Sequence, residues 1–153
     1  MKPDRRRAVE WECARLINQH AHLFNQRCWG ELVNLYTADG VFLPPSDGAA
    51  RIAGRGPLFE WFRQRNADEQ YFCTNVVVHA EGTSAASAES LTFCATGAVA
   101  GLPLPVLAEG GEWTICYYRD RLVLTDDGWR FLERIAFAGF RPEDDHFADR
   151  RSA

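Results

Sequence analysis

Few side chains in this 153-residue chain are of a kind that moves protons at neutral pH, so the four histidines are placed first. In "INQHAHLFNQRCW", His20 stands four residues after Leu16 and four before Phe24, on the stripe a helix turns inward. His22 lies off that line and is expected to face solvent. A neutral imidazole partly withdrawn from water is the best general base near pH 7. The same position also suits a core histidine bonded to a backbone carbonyl or to a neighbour such as Tyr36. His79 adjoins the turn "AEGTS" and is expected at a sheet rim, and His146 on the surface. No HExxH run occurs and His20 and His22 diverge on a helix, so no metal site is expected. Cys13, Cys28, Cys73, Cys94 and Cys116 are dispersed without a CxxC pair, which fits free thiols better than a disulfide framework. Asp120 and Arg134 fall on neighbouring predicted strands. They can pair with each other, or Arg134 can offer its planar fork to a substrate oxyanion.

The elements that position these groups follow from periodicity. Apolar residues from Val9 to Leu35 recur every three or four positions, predicting helix from Asp4 to about Leu35 with a break at Gly30. "DGVFLPPSDG" predicts a turn, a short extended piece and a loop, and "GRGPLFEWFRQR" a third, short helix opening on Gly-Pro. From Gln70 the texture turns to strands rich in β-branched and aromatic residues, with "AEGTS" and "TDDG" as hairpin turns. Strict alternation would place Tyr71, Asn75 and His79 on one face. "GLPLPVLAEGG", Gly101 to Gly111, is rich in Pro and Gly and is expected as a loop over the sheet rim. Helices followed by antiparallel strands predict an α+β domain, about three helices on a strongly curved sheet enclosing a pocket for a small molecule.

Composition narrows the partners. The length suits one domain, with a core over about residues 8–141 and a polar tail at 142–153. A net charge of −4 and a pI near 5.6 give no basic surface for a nucleic acid. No run reaches the ~18–20 apolar residues of a membrane span, and the charged start is unlike a signal peptide. A cytoplasmic protein without membrane association is therefore expected. "GRG" at Gly54 to Gly56 lacks the spacing and the lysine of a phosphate loop, and no cofactor is expected.

The stretches "HAHLFNQRCWGELVNLYTADGVF", "TNVVV" and "YYRDRLVLTDDGWRFLERI" resemble the SnoaL-like group of the nuclear transport factor 2-like fold, over about Ala8 to Arg141. That group includes scytalone dehydratase, bile-acid dehydratase, polyketide cyclases and steroid isomerases. The resemblance implies the curved α+β roll and a cofactor-independent dehydratase, isomerase or cyclase acting on a small hydrophobic, polycyclic or polyketide-like substrate. Where its dehydratases carry a tyrosine, an aspartate and a tryptophan on the first helix, this chain has His20, Asn25 and Trp29. The catalytic strand histidine is replaced by Tyr71, four residues before Asn75. The closing motif is kept as Trp129, Arg130 and Arg134.

By that resemblance, His20, Tyr71 and Asn25 form the expected catalytic set. His20 moves the proton, Tyr71 donates to a substrate oxygen and Asn25 orients one of them or binds substrate. Trp29, Tyr36, Asn75, Arg134 and Phe137 are expected to line the substrate site. Each has a structural alternative: Tyr71 as an aromatic at a strand start, Asn25 as a polar helix end. The β subunits of ring-hydroxylating dioxygenases share the fold and a similar ending, so a non-catalytic subunit or a ligand-binding protein stands as the alternative. A homodimer through the outer sheet face is expected.

Overall fold

The inward stripe of the N-terminal segment forms helix α1, Pro3–Asn25, with Val9, Cys13, Leu16, Ile17, His20, Leu23 and Phe24 buried. The computed structural model describes residues 1–45, 50–65, 69–98 and 107–139. Pro3 occupies the first turn, where its missing N–H is no loss. The helix stops earlier than Gly30. Arg27 takes a left-handed φ of 59°, its N–H bonds Phe24 O at 3.0 Å and the Cys28 N–H returns to Leu23 O at 3.0 Å. These paired bonds satisfy carbonyls that the helix end leaves open. Gly30 instead lies inside a one-turn helix α2, Trp29–Val33.

The remaining elements are β1, Tyr36–Leu43, β2, Ile52–Ala53, α3, Arg55–Arg63, β3, Gln70–Ala80, β4, Ala85–Ala98, β5, Leu107–Thr125, and β6, Gly128–Ala138. They form one curved, unclosed sheet in the order β2-β1-β6-β5-β4-β3. β1 runs parallel to β6, and every other neighbouring pair is antiparallel. The helices α1 to α3 cover the inner face, and the α+β roll is as expected. Both predicted hairpin turns occur.

The turn expected at Asp39–Gly40 is instead an irregularity inside β1, between Tyr36 and Val41. The chain closes tightly there: a Cβ on Gly40 would lie 2.9 Å from the Tyr36 Cβ and 3.0 Å from Phe131 O. The loop expected at 101–111 is in part strand, since β5 begins at Leu107. Residues 101–106 lie outside the described residues, as does His146.

The expected alternation along β3 also fails. A bulge between Thr74 and Val77 inserts one residue against β4, and Asn75 carries a φ of 51°. Before the bulge Tyr71 and Cys73 pack inward; after it Val76, Val78 and Ala80 do. Asn75 is therefore exposed, and His79 lies on the face opposite Tyr71. Asparagine tolerates the left-handed conformation better than most residues.

On β5 and β6 the inner face carries charge. Asp120 and Arg134 are register partners, 1% and 2% exposed, with Arg134 Nη1 3.6 Å from Asp120 Oδ2. The guanidinium lies 4.2 Å from the Tyr118 ring centre and 4.9 Å from that of Phe131. Among the described residues no helix is long and apolar enough to cross a membrane.

Candidate active site

Between α3 and the inner sheet face lies a cavity of about 470 Å³. Phe42, Pro44, Pro45, Ala50, Ile52 and Trp61 give it apolar walls, and Arg65, Tyr71, Thr92, Cys94, Cys116 and Tyr118 bring its polar atoms. Such a volume, mainly apolar with a few converging polar groups, is what a small organic ligand needs. Phe42 and Trp61 meet edge to face with centroids 5.0 Å apart, fixing one wall. Cys94 and Cys116 are free thiols held protonated: burial pushes Cys94 up to about 11 and raises Cys116.

Tyr71 is the expected catalytic residue that lines this cavity. Its ring stacks on Phe24, centroids 3.8 Å apart and planes 5° apart. Burial, reinforced by Tyr118, Cys94 and Glu69, drives its pKa far above the ordinary phenol value, so it stays a neutral donor. Tyr118 is likewise raised, by burial against the opposing charge of Arg134. Two neutral phenols thus face one space.

Asn25 holds Tyr71 by its backbone. Its side-chain nitrogen donates to Tyr71 O at 2.8 Å, and its oxygen accepts from the Tyr71 N–H at 2.7 Å. One side chain satisfies both peptide groups. Only an amide does this, since a carboxylate accepts but cannot donate. The asparagine at this position is thereby accounted for by geometry, with both functions of its side chain engaged.

His20 does not line the cavity. It is 3% exposed, its Nε2 lies 3.1 Å from the Tyr36 hydroxyl, and the rings of Tyr36, Phe62 and Phe131 stand edge-on around it at 5.6 to 5.8 Å. Phe62 also touches Phe42 and Trp61, so this ring separates His20 from residues that line the cavity. Burial, aided by the Arg134 charge, lowers its pKa well below the usual imidazole value. The arrangement is that of a core histidine bonded to Tyr36.

The other expected substrate contacts are dispersed. Tyr36 is fully buried and bonded to His20. Trp29 packs on Phe24 and Phe62. Arg134 lies behind the Tyr118 ring, paired with Asp120. Asn75 is exposed on the bulge, and Phe137 pairs with Tyr117 on the outer face. Sequence reasoning missed Tyr118, Thr92 and Arg65. Tyr118 was findable, because it shares strand parity with the inward Asp120. Arg65 was findable through its four-residue spacing to Glu69, which it grips by Nε at 3.2 Å and Nη2 at 2.9 Å.

Two measurements check this geometry. Asn25→Asp is expected to cost about 1–3 kcal/mol in denaturant unfolding, because the donor to Tyr71 O is replaced by a repelling oxygen. Native stability in that variant would contradict the clamp. For His20 the folded pKa is depressed, so its contribution is complete above about pH 6.5 and is lost as pH falls toward the folded value. The stability of the wild type should therefore drop more than that of His20→Phe between about pH 7 and pH 5. Asp120, raised by burial to about 6 against the pull of Arg134, acts with the opposite sign but equally in both proteins. Parallel pH profiles would show that His20 titrates normally.

No curated protein is significantly similar in sequence. Among solved structures, an NTF2-like protein with a cystatin-like fold from Novosphingobium aromaticivorans is 21% identical, with a TM-score of 0.69 over 92% of this chain and 85% of that one. A scytalone dehydratase candidate from the same species is 14% identical, with a TM-score of 0.68 over 84% and 83%. ActVI-ORFA from Streptomyces coelicolor is 17% identical, with a TM-score of 0.68 over 83% and 94%. These likenesses establish the nuclear transport factor 2-like fold. The sequence model of the SnoaL-like domain matches residues 5–135, and the chain belongs to that family.

Proposed function

We propose that the chain is a cofactor-independent enzyme of the dehydratase, isomerase or cyclase kind, acting on a small, ring-bearing, largely apolar molecule held in the cavity of about 470 Å³. The observation that carries this reading is the pair of neutral phenols, Tyr71 and Tyr118, on the wall of an otherwise apolar space. A phenol donating to a carbonyl or a leaving hydroxyl stabilises the negative charge that develops there, and exclusion of water strengthens the bond. Tyr71 takes the donor role, and Asn25 is a positioning residue acting through the Tyr71 backbone. The scytalone dehydratase candidate and ActVI-ORFA support this direction by fold.

A second reading has its own support. Among the described lining residues none is a histidine or a carboxylate, so proton abstraction depends on the substrate's own groups. A cavity that binds its ligand without turnover fits that lining equally. Five free thiols suit a reducing compartment and support a cytoplasmic location.

For the assembly we propose a homodimer through the outer sheet face. Phe72 and Trp113 are 46% and 57% exposed there, with centroids 6.1 Å apart, beside the Tyr117–Phe137 pair. Light scattering at micromolar concentration should give twice the chain mass, and a monomer mass would remove the dimer.

The catalytic reading predicts that Tyr71→Phe, which keeps the Phe24 stack, lowers turnover by about 10²–10³-fold with the melting temperature nearly unchanged. The check is a turnover assay on fused-ring hydroxyketones beside a thermal melt. Full activity in Tyr71→Phe would refute the donor role. Ligand binding by the wild type without conversion would favour the second reading.

A further inference from the structure

We propose that Arg65 makes the cavity select neutral, oxygen-bearing ligands over carboxylates; this rests on the small-molecule reading of the cavity given above. Among the described lining residues Arg65 is the one that carries a charge. A lone guanidinium in an apolar wall would attract an organic acid. Here the charge is already answered. Glu69, 3% exposed, accepts from Arg65 Nε at 3.2 Å and from Nη2 at 2.9 Å, and the guanidinium lies 4.9 Å from the centre of the Trp61 ring. One edge and one face of the fork are thus occupied. Nη1 has no hydrogen-bond partner among the described residues and the Arg65 side chain is 37% exposed, so a donor remains on a guanidinium whose charge is already paired with Glu69.

The chemistry that follows is specific. A ketone, phenol or alcohol oxygen accepts from Nη1 without adding charge. A carboxylate brings a second negative charge to a guanidinium already shared with Glu69, and it must also leave water for apolar walls. Tyr71 and Thr92, elsewhere in the lining, can donate to it but bring no positive charge. Glu69 is itself held at the start of β3, where Arg27 Nη2 donates to its backbone oxygen. The neutralising carboxylate is thereby fixed to the same junction that positions Tyr71. Arg65 acts here as a specificity-determining residue, and Glu69 as the group that sets its charge.

The test compares 2-naphthol with 2-naphthoate at pH 7 by calorimetry, in the wild type, Glu69→Gln and Arg65→Met. Wild type should bind the naphthol at least about tenfold more tightly. Glu69→Gln keeps the shape and an accepting oxygen but frees the charge, so the preference should shift toward the naphthoate by about tenfold or more. Arg65→Met, which removes the Nη1 donor, should weaken the naphthol by about two- to tenfold. Equal or tighter naphthoate binding by the wild type, or an unshifted preference in Glu69→Gln with unchanged naphthol affinity in Arg65→Met, overturns the selection while leaving the cavity a ligand site. Failure of both probes to bind the wild type overturns the small-molecule reading and the selection with it.

Discussion

The two hydrogen bonds between the Asn25 amide and the Tyr71 peptide hold the site together. β3 is an edge strand, so the outward N–H and C=O of Tyr71 have no neighbouring strand to bond. The Asn25 side chain takes the place of that strand, fixing the end of α1 against the start of β3. Three cavity features follow from this junction. Tyr71 is laid flat on Phe24, Arg27 turns left-handed and reaches the backbone of Glu69, and Glu69 in turn holds Arg65. A buried peptide left without partners costs free energy comparable to a lost hydrogen bond, so the junction stabilises the fold while it aims the side chains.

Behind the cavity wall lies a second polar region of different character. His20, Tyr36, Asp120 and Arg134 are all nearly or fully buried. Ser90 Oγ, both Asp120 carboxylate oxygens, and Nε and Nη1 of Arg134 have no hydrogen-bond partner among the described residues. The Asp120–Arg134 contact at 3.6 Å is an ion pair rather than a hydrogen bond, and burial prevails over it enough to raise the Asp120 pKa. Buried pairs of this kind add little net stability but are costly to break, because the survivor keeps its charge. Their field reaches the cavity through Tyr118, whose ring the guanidinium faces.

Much of this was legible in the sequence. Helical periodicity located α1 and the inward His20, Gly-Pro opened α3, and the two hairpin turns were marked by their residues. The pairing of Asp120 with Arg134 and the contact of His20 with Tyr36 were each one of the alternatives the sequence left open. What escaped depended on local breaks in those periods. Arg27 ends α1 in a conformation usually given to glycine, so Gly30 was the misleading signal. The bulge at Asn75 reverses parity halfway along β3, which moves Asn75 and His79 away from Tyr71. Position on an inward stripe also cannot distinguish a residue facing a cavity from one facing the core, and Phe62 is what decides that for His20. At Asn25 the partner was not legible either, since its amide engages the Tyr71 backbone rather than a side chain.

The bulge on β3 has a further effect. An open sheet exposes two rows of unpaired backbone groups, each a template on which another chain can add a strand. One border of this sheet is β2, only two residues long, too short to template much. The other is the eleven-residue β3, on which Phe72 and Val77 are exposed. Left straight, that border would invite fibrous stacking. The extra residue at Asn75 twists it out of line midway, and Asn25 occupies its backbone near one end. Both borders are thus poor partners for cross-β growth.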